Sequence, residues 1–391
     1  MMDVSGWSRL RGKINALAAV VLSVLLMTAW LAQSTFVQAM QKSEQTSSSL
    51  SRYEQGATSG NVYVGQAKCI TCHKGMSSAA STPMGEAAAE PLRSGMPDYS
   101  TMSYQSGQYT VRIEKNDAGM NMKVSDGSAS LSVPVRWIFG KGYDGQTFLL
   151  EKDGQLYESR SSYYAALGHL DKTIGHSNAP PASLMAALGR ALPKEEVERC
   201  FSCHTSENLF AGRVEVQQAH PGVTCENCHG AGSEHVALMS ATSRQTPLTD
   251  AEIFNPASLA PADLNDFCGS CHRTTRDVMR SGVRDIRNVR FQPYRLENSR
   301  CYDPSDERIQ CTACHDPHRK LETSSAVYDQ KCLACHASQS SGTVSQKAPA
   351  CPRATKDCAS CHMPKLNLPG AHFAFTDHYI RVVKPGEPYP D

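Results

Sequence analysis

The feature that most constrains this chain of 391 residues is a motif that occurs seven times. Fourteen of its sixteen cysteines form C-x-x-C pairs, and a histidine follows each pair directly. The first cysteines are Cys69, Cys200, Cys225, Cys268, Cys311, Cys332 and Cys358, and the second are Cys72, Cys203, Cys228, Cys271, Cys314, Cys335 and Cys361.

The spacing of the motif has a chemical reason. Two thiols three residues apart project from one helical turn and can bond to the two vinyl groups of one haem, and the next residue then lies under the iron. C-x-x-C-H is the attachment signature of c-type haem. The sequence therefore predicts seven covalently attached c-type haems. Zinc ribbons, redox dithiols and a disulfide framework are the alternatives, but zinc sites pair two motifs, and seven motifs do not pair.

The histidine inventory predicts the iron ligands. The motifs supply His73, His204, His229, His272, His315, His336 and His362. An equal number lies elsewhere, namely His169, His176, His220, His235, His318, His372 and His378. Equal numbers are what two histidine ligands per iron would require, so all fourteen are candidate metal ligands. A propionate or surface contact is the alternative for His235 and His318, and Met84 is a substitute ligand for the first haem.

Two of the non-motif histidines lie close behind a motif. His235 follows His229 by six residues, and His318 follows His315 by three. So short a segment can hardly reach the opposite face of the same porphyrin, so each is predicted to bind the iron of a neighbouring haem. His372 and His378 lie in a C-terminal tail that could fold back over the array. Cys301 and Cys351 remain, and we expect one disulfide between them, with a thiolate haem ligand as the alternative.

The N-terminus predicts export. Arg9, Arg11 and Lys13 precede an apolar run over residues 14–31, and a cleavage site follows near Ala39. Residues 1–39 are predicted to be a signal peptide or a membrane anchor, because 18 apolar residues are just enough to span a membrane. A polar, Ser-rich linker is expected over residues 40–62. The predicted location is the periplasm or cell surface of a bacterium.

The remaining chain is predicted to contain two domains. Residues 63–195 carry one motif and a small antiparallel β unit over about 100–165, where alternating residues and Asp-Gly turns occur. Residues 196–391 carry six motifs, which leaves too little chain per motif for separate peptide cores. The expected fold is therefore a mostly α and irregular, haem-packed multihaem array with a small β unit in the N-terminal third.

Several segments carry a resemblance to a known group. They are GVTCENCHGAGSEH (222–235), FCGSCHR (267–273), RFQPYRLENSRCY (290–302), CTACHDPH (311–318), and CASCHMPK with FTDH (358–378). These segments resemble exported multihaem c-type cytochromes, the group that includes the tetrahaem partner of hydroxylamine oxidoreductase and the octahaem enzymes. The resemblance implies closely packed haem pairs, mostly bis-histidine ligated, and implies His235 and His318 as distal ligands of neighbouring haems. No C-x-x-C-K motif is present, which lowers the expectation of nitrite reductase activity.

The favoured function is electron transfer, since irons with two protein ligands cannot bind substrate. The alternatives are a reductase of a small nitrogen or sulfur oxyanion, with a five-coordinate iron at the Cys69 haem, and a subunit of a cytochrome filament. The expected partners are redox proteins, with a membrane quinol-oxidising complex and a second copy of the chain as candidates. The 39 Lys and Arg residues balance 38 Asp and Glu residues, so no nucleic acid partner is expected.

Overall fold

The protein is described here from a computed structural model, which describes residues 56–93, 95–117, 119–140, 142, 144–241, 253–336 and 350–390. The chain divides into two units, residues 1–51 and 52–391, and all described residues belong to the second. The predicted signal or anchor, residues 1–39, and the linker up to residue 55 lie outside the described residues. The predicted boundary between residues 195 and 196 stays a prediction.

A nine-stranded antiparallel sheet dominates the first half of the described chain. Its strands show the alternation that a half-buried strand requires, as in Tyr109–Asn116, where Tyr109, Val111 and Ile113 are buried. The strands are β1 (Ala88–Ala89), β2 (Ser103–Ser106), β3 (Tyr109–Asn116), β4 (Gly119–Ser125), β5 (Ser130–Phe139), β6 (Gly145–Lys152), β7 (Gln155–Tyr164), β8 (His169–Lys172) and β9 (Gly189–Ala191).

Strands β2 to β8 follow one another in chain order, β1 pairs with β5, and β9 pairs with β7. Register shifts interrupt the pairing of β5 with β6 and of β6 with β7, and such bulges increase the local twist. The sheet curls until β2 lies against β8. The Arg160 guanidinium of β7 donates to the Ser106 hydroxyl of β2 at 3.0 Å. This hydrogen bond links the first strand of the curled sheet to the strand next to the last.

The sheet has a peptide core of its own. Met122, Val124, Ile138, Phe148 and Leu150 are fully buried within one large hydrophobic cluster. The predicted fold class, a mostly α and irregular haem array with only a small β unit, is therefore wrong. The predicted unit over residues 100–165 is part of a sheet that reaches from residue 88 to residue 191, because short strands before and after it pair with distant strands.

The described helices are short, none longer than 12 residues. They are α1 (Gln66–Ile70), α2 (Leu184–Leu188), α3 (Lys194–His204), α4 (Glu226–His229), α5 (Ser233–Ser240), α6 (Pro261–His272), α7 (Thr275–Ser281), α8 (Gln292–Glu297), α9 (Cys311–Cys314), α10 (Ser325–His336) and α11 (Cys358–His362). Two-stranded ladders pair Thr205–Ser206 with His220–Pro221, Leu209–Phe210 with Arg213–Val214, and Lys365–Asn367 with Ala374–Thr376. In the part of the chain that the structure describes, no helix has the length and apolarity needed to cross a membrane.

Helix α3 packs directly on the sheet. Phe201 of α3 lies edge-on against Trp137 and Phe139 of β5, with ring centres 5.2 and 5.4 Å apart. Buried Leu149 and Leu192 complete this second apolar cluster. The sheet therefore supports the helix that carries the second C-x-x-C-H motif.

Helix α7 begins with a complete capping box, which gives a first testable prediction. The Thr274 hydroxyl accepts from the Asp277 N–H at 3.1 Å, and the Asp277 carboxylate accepts from the Thr274 N–H at 3.0 Å. Replacing Thr274 by alanine should lower the free energy of unfolding by about 1 kcal/mol, measured by urea denaturation of the holoprotein. Thr274→Ser keeps the hydroxyl and should retain most of the stability. An equal loss in both variants would contradict the capping explanation.

Candidate haem-attachment sites

The C-x-x-C-H motifs lie on helical turns. Those that begin at Cys200, Cys268 and Cys332 form the ends of α3, α6 and α10. The motif at Cys358 is α11 itself. In the other three, the N–H of the motif histidine donates to the carbonyl of the first cysteine, at 3.0 Å for His73, 3.0 Å for His229 and 2.9 Å for His315. None of the fourteen motif cysteines is in a disulfide and none is fully buried, as covalent attachment of a haem requires.

The first cysteines of the motifs meet in pairs. The thiols of Cys69 and Cys225 are close neighbours that shift each other's pKa, and so are those of Cys268 and Cys311. Cys332 and Cys358 are also close to each other. Six motifs are thus combined as first with third, fourth with fifth, and sixth with seventh. The remaining motif contacts the fourth, because Cys203 Sγ lies 3.8 Å from the carbonyl oxygen of Ser270.

Three motif histidines lie close to a second imidazole from another segment. Their ring centres are 6.2 Å apart for His73 and His235, 6.1 Å for His229 and His318, and 6.2 Å for His315 and His378. Two imidazoles that bind one metal ion from opposite sides, with metal–nitrogen bonds of about 2 Å, have ring centres about 6 Å apart. The three spacings fit an iron held between each pair. The structure thus places His235 and His318 beside a different motif from the one that each follows in sequence.

In several of the candidate ligand histidines, Nδ1–H donates a hydrogen bond to a backbone carbonyl, which leaves Nε2 available. The Nδ1–H groups of His204, His229 and His362 donate to the carbonyls of Ala87, Phe254 and Arg381 at 3.0, 2.9 and 2.8 Å. His378 Nδ1–H donates to the Thr376 carbonyl at 3.1 Å. A carbonyl can only accept, so the proton is on Nδ1 and the lone pair is on Nε2. This tautomer is the one that binds a metal through Nε2.

The electrostatic surroundings keep several of these imidazoles neutral, which is the form that binds metal. Burial, together with the nearby His315, lowers the pKa of His378 to about 4. Burial also lowers the pKa of His204, His229 and His315 below the ordinary value. His204 also lies face to face with Phe139 of β5, with ring centres 4.8 Å apart.

Three predicted distal ligands lie next to carboxylates instead. His176 Nε2 is 3.1 Å from Glu158, and His372 Nε2 is 2.7 Å from Asp171. His220 Nε2 is 3.7 Å from Glu207. In each case the nitrogen that would bind iron faces a carboxylate oxygen. Among the described residues, the structure does not bring these three within a ring contact of a motif histidine.

The other predicted ligands are placed as follows. His169 begins β8, is exposed, and donates from Nδ1 to the Leu170 carbonyl at 2.9 Å. His272 ends α6 close to His204 and His315, and His336 ends α10. Met84 lies in the turn that follows Thr82, where its carbonyl accepts from the Val223 N–H at 3.0 Å.

The packing around the motifs fits large apolar cofactors. Beyond residue 205, the described residues include one small hydrophobic cluster, Val278, Phe291 and Tyr294, and a few buried apolar residues outside it, such as Leu264, Phe267 and Leu368. A chain segment with so little apolar core needs other apolar surface to fold. In the described part of the chain, no group of three or more His, Cys, Asp or Glu side chains is gathered around a common metal position, and the histidines meet in pairs.

The expected disulfide between Cys301 and Cys351 is absent: both are free thiols with exposed side chains. Cys301 lies near Cys314 and Cys335 of the fifth and sixth motifs. The prediction assumed that two spare cysteines would pair with each other. It failed because it took no account of where the fold places them.

Sequence reasoning also missed a set of buried polar residues beside the paired cysteines. Glu226, Asn265 and Asp329 each accept hydrogen bonds from the backbone of another motif's segment. A signal was present for two of them, because Asn265 and Asp329 both stand three residues before a first cysteine and therefore on the same helical face.

Comparison with known proteins adds one finding. A family model described as cytochrome c554 and c-prime matches residues 165–230, which include the motifs at Cys200 and Cys225. No curated protein and no solved structure matches the chain. The match supports a c-type cytochrome with covalently bound haem and suggests electron transfer.

Proposed function

We propose that the chain is an exported heptahaem c-type cytochrome that transfers electrons between redox partner proteins in a periplasmic or extracellular respiratory chain. The observation that carries this proposal is the spacing of about 6 Å between imidazoles in three pairs, His73 with His235, His229 with His318, and His315 with His378. An iron held by two protein imidazoles has no position left for substrate. Such a site favours electron transfer over catalysis.

The contacts between motifs support an uninterrupted path. The cysteine contacts join the first motif to the third, the fourth to the fifth, the sixth to the seventh and the second to the fourth. The imidazole pairs join the third motif to the segment after the fifth, and the fifth to the C-terminal tail. The haems supply reversible one-electron oxidation and reduction at iron. The residues of the chain hold these groups close to one another and set the ligands of each.

The assignment of partners follows from this chemistry. A carrier with saturated irons exchanges electrons with other redox proteins, and a membrane quinol-oxidising complex is the donor that we propose. A second copy of the chain would serve as a partner in a filament. The location in the periplasm or at the cell surface rests on the N-terminal sequence.

Mass spectrometry and electron paramagnetic resonance of the oxidised holoprotein test the proposal on one sample. We expect a mass increase that corresponds to seven haems, and low-spin ferric signals from at least the three irons that the imidazole pairs would hold. A low-spin signal that accounts for fewer than three irons would favour the reductase instead, because it would reveal an open coordination position at a paired site. A smaller mass increase would contradict the haem count, irrespective of spin state.

A further inference from the structure

Two of the longer motif helices carry a buried polar side chain at the same position. Asn265 lies three residues before Cys268 in α6, and Asp329 lies three residues before Cys332 in α10. Asn265 is 0% exposed and Asp329 is 6% exposed. Residues i and i+3 share a helical face, so each side chain lies beside the first cysteine of its own motif.

These side chains bind the backbone of the paired motif. The two carboxylate oxygens of Asp329 accept from the Asp357 N–H at 2.7 Å and from the Cys358 N–H at 2.8 Å. Asn265 Oδ1 accepts from the Cys311 N–H at 3.2 Å. The N–H groups of Cys311 and Cys358 are the first of helices α9 and α11. Each hydrogen bond therefore spans the same pair of motifs whose first cysteines are in contact.

The two helices whose N–H groups donate these hydrogen bonds have little stability of their own. Helix α9 has four residues and α11 has five, and nucleating so short a helix is unfavourable. The first N–H groups of a helix have no partner within it. The residues that precede the two helices, Gln310 and Asp357, provide no side-chain cap. Asn265 and Asp329 provide that acceptor from a different helix.

A third residue acts similarly between the first and third motifs. Glu226, which is 3% exposed, follows Cys225 directly. Its carboxylate accepts from the N–H groups of Val64 and Gly65 at 3.0 and 2.9 Å, just before helix α1 of the first motif. It also accepts from the Gly232 N–H at 2.9 Å, just before helix α5, which contains His235. One carboxylate thus joins the segments of His73 and His235.

We propose that Asp329, Asn265 and Glu226 are positioning residues that cap the helix of the paired motif and thereby fix the placement of the two haems in each pair. The inference rests on the proposed haem attachment and adds the residues that determine the geometry within a pair. Asp329 gives the clearest test because its two oxygens bind two successive amides.

The experiment compares Asp329→Ala and Asp329→Asn in the holoprotein. In Asp329→Ala, the amides of Asp357 and Cys358 should exchange hydrogen at least about tenfold faster, because each loses a charge-assisted acceptor. The electron paramagnetic resonance signals and midpoint potentials of two haems should change together. Asp329→Asn keeps one carbonyl oxygen and should retain protection at one amide and the signals of the wild type more closely.

The matched control is Gln330→Ala, which removes an exposed polar side chain from the same helix and should change neither readout. Unchanged amide exchange in Asp329→Ala would overturn the inference. Faster exchange with unchanged signals and potentials would also overturn it, since the role would then be local stability alone. A failure of the proposed function is distinguishable, because it appears as missing haem in the mass spectrum of the wild-type protein.

Discussion

Replacing His318 by alanine is expected to convert about one haem iron per chain from low-spin to high-spin, as measured by electron paramagnetic resonance of the oxidised holoprotein. His318 and His229 have ring centres 6.1 Å apart, and His229 donates from Nδ1, so its Nε2 is free for iron. Removal of the second imidazole opens a coordination position. His235→Ala and His378→Ala should give the same result at the other two pairs.

The control comes from two histidines that the sequence alone also offers as candidate ligands. His372→Ala and His176→Ala should leave the spin state unchanged, because their Nε2 atoms lie 2.7 and 3.1 Å from carboxylates. A high-spin signal in a control variant, with none in His318→Ala, would reverse the ligand assignment. The result also separates the two functions, since each confirmed ligand leaves one iron fewer for a reductase.

Asp377→Ala is expected to lower the free energy of unfolding by about 3–5 kcal/mol, measured by denaturation of the holoprotein. Asp377 and Arg295 are both 0% exposed and form a two-point ion pair, with both N···O distances at 2.9 Å. Arg381 donates to the same carboxylate at 2.7 Å. Removal of Asp377 would leave the fully buried Arg295 guanidinium without a carboxylate, and Arg381 would keep only its ion pair with Glu387.

The same variant should also affect the haem ligands. Asp377 directly precedes His378, and the Arg381 carbonyl accepts from His362 Nδ1–H at 2.8 Å. We therefore expect changed low-spin signals in Asp377→Ala besides the loss of stability. Arg287→Ala breaks an exposed ion pair with Asp285 and is the control, with little change in either measurement. A similar loss of stability in both variants would contradict the special role of the buried pair.

The local chemistry of the chain was predictable because it depends on short spacings. C-x-x-C-H predicts a helical turn, and the structure has such turns at all seven motifs. The argument that His235 and His318 lie too close to their own motifs agrees with where the structure places them, beside His73 and His229. That they bind iron there stays a prediction. Which motif each one meets depends on tertiary folding that spacing does not contain.

The larger errors have physical reasons. The alternation between residues 100 and 165 correctly indicated antiparallel strands, but β1 and β9 have only two and three residues and belong to the sheet through long-range pairing. No local pattern identifies so short a strand. The disulfide between Cys301 and Cys351 was inferred from number alone and is absent. His176 and His372 were candidate ligands on sequence grounds, and only the structure shows their carboxylate neighbours.

The contact between Cys69 and Cys225 has a consequence for the order of folding. The whole nine-stranded sheet lies between these two cysteines in the chain, whereas Cys332 and Cys358 are joined by one short connection. Closing a longer loop costs more entropy, and contacts between distant residues form more slowly. The C-terminal pair can therefore assemble early and locally. The N-terminal pair is expected to close later, because the whole sheet lies between its two cysteines.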